Sequence, residues 1–227
     1  MKILLMMSVS MVAGAFAASE LETSKTEFAE ADKQLNVVYL SLKKTMPEWS
    51  FKQLQPDQRR WVSYRDAMAE RAVFDLEGKV KDVKTKADYW SMMAGLTWAR
   101  VDVLNGWAAV AEEGKWLGDY SDSYGGGMSI SVKEGKLHFK IDVVRGLSHH
   151  VGQISGVAEI NQSYARFSDE GKGREGVEGK TWLDFEILDG ARIKVRGVNT
   201  SYYHGARAYF DGTYVRVEHP ESEGCSQ

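Results

Sequence analysis

The sequence predicts an α+β protein of two domains, a small antiparallel three-helix bundle followed by an antiparallel β-barrel or sandwich of roughly eight strands. Three observations predict it. Apolar residues recur three and four apart up to Gly114, they recur every second residue from Trp116 onward, and glycine-bearing turns separate the alternating runs.

The chain opens with MKILLMMSVSMVAGAFAA, residues 1–18, in which Lys2, an apolar middle and the small residues Ala15, Ala17 and Ala18 match a secretory leader and its cleavage site. The run is too short for a stable bilayer anchor, and no later run is apolar enough, so the expectation is export without a transmembrane segment. The sequence holds 1 cysteine, Cys225, in the polar tail 219–227, which rules out an internal disulfide and leaves burial to stabilise the fold. Hydrophobic residues make up 43% of the 227, enough for a core in each half, and a net charge of -3 gives no global attraction to nucleic acid.

In the helical half, expected over 19–114, Phe28, Ala31, Leu35, Val38, Tyr39 and Leu42 share one face of a first helix, which Pro47 ends. Pro56 and Asp57 suit the first turn of a second helix whose inward stripe is Trp61, Tyr64, Met68, Ala72 and Leu76. Tyr89, Met93, Leu96, Leu104, Trp107 and Val110 line a third helix that stops at Gly114. In the β half, 115–218, Met128, Ile130 and Val132 alternate with serines, Leu137, Phe139, Ile141 and Val143 with His138, Lys140 and Asp142, and Leu183, Phe185 and Ile187 with Asp184 and Glu186. Glu134-Gly135 and Asp189-Gly190 supply hairpin turns. Further strands are expected at Gly152 to Ile160, Tyr164 to Phe167, Arg192 to Arg196 and Ala206 to Val217, with Gly171 to Lys180 as a long loop. A meandering barrel is the preferred closure.

The most distinctive stretch is QRRWVSYRDA, Gln58 to Ala67. With Trp61 and Tyr64 inward, Arg59, Arg60 and Arg65 are expected on the flanks and outer face, Asp57 pairing with Arg60. Asp57, Asp66 and Glu70 dilute the charge too far for a polyanion site. This stretch, with Ala31-Asp32, Leu35-Asn36, Tyr39 and Leu42 before it and Leu96-Thr97 and Arg100 after it, resembles the helical domain of the lysozyme inhibitor LprI-like family over about Ser24 to Gly114. The resemblance implies an exported bacterial protein and, for part of that family, inhibition of lysozyme. Where that family often carries two cysteines this chain has Ala69 and Met92, a joint replacement by apolar atoms.

No constellation for turnover emerges. Asp184 and Glu186 fall on the solvated face of a strand, Ser155-Gly156 lacks a following helix, and Gly125, Gly126 and Gly127 precede a strand instead of cradling phosphate. His149, His150 and His204 lack metal-ligand spacing, so neither metal nor cofactor is expected. The richest polar and aromatic segments are Leu147 to His150 and Asn199 to Gly205. His149, His150, Tyr202, Tyr203, His204 and Arg207 on the β domain, and Arg59, Arg60 and Arg65 on the helices, are therefore the candidate partner-binding residues. The reading is a non-enzymatic binding protein, with a c-type lysozyme or another cell-wall hydrolase as partner, or alternatively an envelope scaffold or module for peptidoglycan or glycan.

Overall fold

The computed structural model describes residues 3–108, 116–169, 179–189 and 191–217, with side chains described from Ser19 onward. Gly114, Val110, Gly190, most of the expected loop at Gly171 to Lys180, and the tail with Cys225 lie outside these residues. The chain divides into two compact units, Met1–Val101 and Asp102–Gln227. Among the described residues no helix is long and apolar enough to cross a membrane.

Three helices form the first part: α1 (Ile3–Thr45), α2 (Glu48–Glu77) and α3 (Ala87–Ala108). Partners run in opposite directions along neighbouring helices, which makes the packing antiparallel. The Tyr39 and Phe51 rings meet at 5.2 Å near the α1–α2 connection, while Asp32, earlier in α1, lies 3.7 Å from Arg65, later in α2. Likewise Arg100 of α3 reaches back to Asp57 of α2, and Tyr89 clusters with Ala69 and Val73.

Two helical expectations are corrected. The second helix begins at Glu48, behind Pro47, so Pro56 stands inside it. Its missing N–H costs one hydrogen bond, but Phe51 and Leu54 before it and Trp61 after it are all buried, and this continuous apolar stripe outweighs the break. The inward stripe also differs: Leu76 is 68% exposed and Ala72 half-buried, while Ala69 and Val73 are buried. Each four-residue step turns about 400°, some 40° past a full circle, so three steps from Tyr64 carry Leu76 off the buried face. Ala69 and Met92 share one apolar cluster with Val73, Tyr89 and Met93.

The second part is a closed antiparallel barrel in the order β1-β2-β3-β4-β5-β6-β7-β8. Its strands are β1 (Gly118–Ser121), β2 (Gly126–Lys133), β3 (Lys136–Arg145), β4 (His150–Asn161), β5 (Tyr164–Asp169), β6 (Thr181–Asp189), β7 (Arg192–Val198) and β8 (Gly212–Val217), with β1 pairing β8 to close it. Closure leaves no unpaired edge. The predicted alternation fills the interior with Leu137, Phe139, Ile141, Leu183 and Phe185, joined by Ile154 and Ile193, and Phe139 packs on Phe185 at 4.9 Å. Glu134 (φ 51) and Gly135 (φ 73) form the expected β2–β3 turn.

Val132, expected inside, is 43% exposed at the end of β2 beside that turn, although its cross-strand partner Leu137 is buried. The last strand starts at Gly212 instead of Ala206. The preceding residues are held in a loop in which Arg207 has φ 66 and the Ala208 N–H donates to the Gly205 carbonyl.

Candidate functional site

A meander places alternate connections at alternate ends. One barrel end carries the short turns after β2 and β4, and the other carries the β1–β2 and β3–β4 connections and the long segment between β7 and β8. This second end gathers all six β-domain candidates.

The β3–β4 turn is closed by the pairing of Arg145 with His150. Gly146 (φ 64) and His149 (φ 49) take left-handed conformations, and the His149 N–H donates to the Gly146 carbonyl at 3.2 Å. This projects Leu147 and His149 into solvent, with His150 half-buried at the strand start and Val151, next along, 62% exposed.

The 199–211 segment lies against this hairpin. The Gly205 N–H donates to the Val151 carbonyl at 2.9 Å, and His204 pairs with Gly152 as an isolated bridge. A Cβ at position 152 would stand 2.6 Å from that of His204, so glycine permits the close approach. His204 is an anchor. Its Nδ1 lies 2.7 Å from the Gly205 carbonyl and its Nε2 3.0 Å from the Thr200 hydroxyl, so Nδ1 is the donor and Nε2 accepts from Thr200. Its ring also meets Tyr209 and Phe210 edge-on at 5.3 and 5.4 Å. Tyr203 is a second anchor, its hydroxyl donating to Asp169. The remaining candidates face outward: Tyr202 is 55% exposed and Arg207 is exposed.

Beneath the rim lies a cluster that alternation does not signal. Arg145 pairs with Asp122, donates to the Tyr124 carbonyl (3.1 Å), the Tyr209 carbonyl (3.2 Å) and the Tyr214 hydroxyl (3.2 Å). Asp122 in turn accepts the N–H groups of Tyr124 and Gly126, each at 2.8 Å. Burial works against the Arg145 charge, yet Asp122 and Tyr214 more than offset it and hold the guanidinium above its ordinary pKa. Burial pushes the Tyr214 phenol well up, helped by Asp122 and opposed by Arg145. This cluster ties the β1–β2 connection, β3 and β8 together under the loops and fixes the Tyr209 backbone. Tyr209 and Val151, both largely exposed, belong to the rim although single-residue reasoning did not select them; the aromatic run around His204 was the available signal.

On the outer barrel face Arg166 grips Asp184 with two bonds, 2.6 and 2.9 Å, and this guanidinium, ahead of other causes, holds the Asp184 carboxyl below its usual range. Glu186 faces Arg196 at 3.7 Å. Both carboxylates are engaged in cross-strand ion pairs. Among the described residues, no group of three or more His, Cys, Asp or Glu side chains could hold a metal ion.

On the helical unit Arg59 and Arg60 are exposed, and Arg60 lies 3.5 Å from Asp57 as expected. Arg65 is a correction to its expected outer position. It is 8% exposed, bonded to Asp66 and stacked over Phe28 and Trp61 at 5.4 and 5.3 Å, because the α1 face closes over it.

Fold and site together define a protein with a helical unit and a closed, side-chain-filled barrel that presents an aromatic and histidine rim. Residues 14–104, the helical region, match the family model Lysozyme inhibitor LprI, which is the family the sequence motifs resemble. The match covers less than half of the chain and ends before β1. No curated protein and no solved structure matches the chain.

Proposed function

We propose that this chain is an exported bacterial, non-enzymatic binding protein that inhibits a lysozyme or related cell-wall hydrolase by covering its cleft. The leader-like residues 1–18 support export, a helical domain over 19–114 and a β domain over 115–218 are the two modules, and the family match supports the target class.

The observation that carries the contact surface is the convergence of exposed Leu147, His149, Val151, Tyr202 and Tyr209 on one barrel end, braced by the anchors Tyr203 and His204. Large amphipathic side chains on a rigid frame contribute contact area at low entropic cost. His150 and Arg207 complete this rim, and Arg59 and Arg60 extend the set on the helical unit. Cationic and hydrogen-bonding tips complement a cleft whose catalytic groups are carboxylates.

The test is titration of the purified mature protein into cell-wall lysis assays with several lysozyme classes. Slowed lysis is expected; unchanged lysis at large molar excess rejects inhibition. The exposed faces of Tyr202 and Tyr209 also suit a sugar ring, which favours glycan binding as the second reading. Sedimentation with insoluble cell wall in the absence of enzyme separates the two, since a glycan binder pellets with the wall and an inhibitor stays in solution.

A further inference from the structure

Between α1 and α2 the helical unit holds an open groove of about 380 Å³, a size that suits a ligand of roughly dipeptide dimensions. Buried Leu35 forms its floor, with Val62 and the half-buried Tyr39 beside it.

The polar groups around this floor divide into two sets. Asp32 and Asn36 are committed to each other, with Asn36 Nδ2 3.1 Å from the Asp32 carboxylate, and Asp32 also faces Arg65 at 3.7 Å. Gln55, Gln58 and Arg59 are not so committed. Gln58 Oε1 accepts from the buried Arg100 at 2.9 Å, so the amide is oriented and its remaining group is an NH₂ with no partner in the described chain. The Arg59 guanidinium and the Gln55 amide likewise make no hydrogen bond or ion pair there. Arg65 is held by Asp66 at 2.9 Å and also faces Asp32, whereas Arg59 makes no ion pair among the described residues.

The Gln58 amide and the Arg59 guanidinium both line the groove and both donate, and a planar carboxylate can accept from both. We infer that this groove binds the free C-terminal carboxylate of a short peptide, with Arg59 and the Gln58 NH₂ on the carboxylate, Gln55 on the preceding peptide group, and Leu35, Tyr39 and Val62 against an apolar side chain. The site lies within the helical unit and is independent of the barrel rim, so it stands or falls apart from inhibition.

The experiment titrates the full-length protein with N-acetyl-Ala-Ala, with its C-terminal amide, and with acetate, following amide chemical shifts of α1 and α2. The acid is expected to bind, and the amide and acetate each at least about tenfold more weakly, since one loses the charge and the other the body. Arg59→Gln should weaken the acid by at least about tenfold. Gln58→Glu is the sharper variant: it keeps the acceptor for Arg100, so the melting temperature holds, but it replaces the donor with a repelling charge, so acid binding should disappear. Equal binding of acid and amide, equal binding of acetate, or unchanged binding by folded Gln58→Glu overturns the inference.

Discussion

The Arg100 guanidinium, 1% exposed, lies 2.7 Å from the Asp57 carboxylate and 5.5 Å over the Trp61 ring, joining α3 to α2 inside the helical unit. Removing the cation leaves the Gln58 carbonyl and Asp57 without it and empties buried volume. Arg100→Ala is expected to destabilise the helical unit by about 2–4 kcal/mol, measured by denaturant unfolding followed by helical circular dichroism. Asp57→Asn should cost less, because Asp57 is 23% exposed and water can replace part of what is lost.

Gly126 and Gly127 are adjacent but not equivalent. A Cβ at Gly126 would stand 2.6 Å from Asp122 Oδ2 and 2.9 Å from Arg145 Nη2, whereas one at Gly127 meets nothing within 4 Å. Gly126→Ala should therefore cost about 2 kcal/mol or more by displacing the Asp122–Arg145 pair, and Gly127→Ala should stay within about 0.5 kcal/mol of wild type. Equal melting temperatures for the two variants would contradict this account of the rim's support.

Burial raises the Tyr214 pKa in the folded barrel, and burial, against Arg216, raises that of Tyr120. Unfolded tyrosines ionise near about pH 10. Above that pH the unfolded chain has released protons that the folded chain still holds, so stability is complete below about pH 10 and declines as pH rises toward the folded pKa values. Tyr214→Phe should flatten this decline, as read from unfolding midpoints across the alkaline range.

Ala69 is fully buried and Met92 packs against the same cluster. The paired substitution Ala69→Cys with Met92→Cys, in a Cys225→Ser background, should form a disulfide under oxidising conditions, detected as a two-proton mass loss and a raised melting temperature. A stable free dithiol would show that the two positions do not come within bonding geometry.

The barrel was legible because two-residue alternation marks its buried face directly, as at Leu137, Phe139 and Ile141, and because Glu134-Gly135 marks its turn. Helix identity was legible for the same reason, but helix phase was not. A spacing of four satisfied Tyr64 to Leu76 locally while packing selected Ala69 and Val73, and the break implied by Pro56 was overridden by burial on both sides of it. Charged residues were the least legible. Arg65 and Arg100 are buried because carboxylates on neighbouring helices and the Trp61 ring receive them, and Arg145 because Asp122 and Tyr214 do; no local pattern encodes such partners. At the rim, residue type singled out segments that meet at one barrel end, yet it could not separate anchors such as Tyr203 and His204 from outward side chains such as Tyr202. That distinction depends on Thr200, four residues from His204, and on Asp169 and Gly152, which meet Tyr203 and His204 only in the folded barrel.

The most direct measurement compares wild-type protein with a Val151→Asp, Tyr202→Ala double variant in a lysozyme inhibition titration, with thermal unfolding run alongside. Both side chains are more than half exposed, so the melting temperature should hold. Wild type is predicted to inhibit and the variant to lose inhibition by at least about tenfold; equal inhibition by both, or none by the wild type at large excess, contradicts the rim as the inhibitory surface.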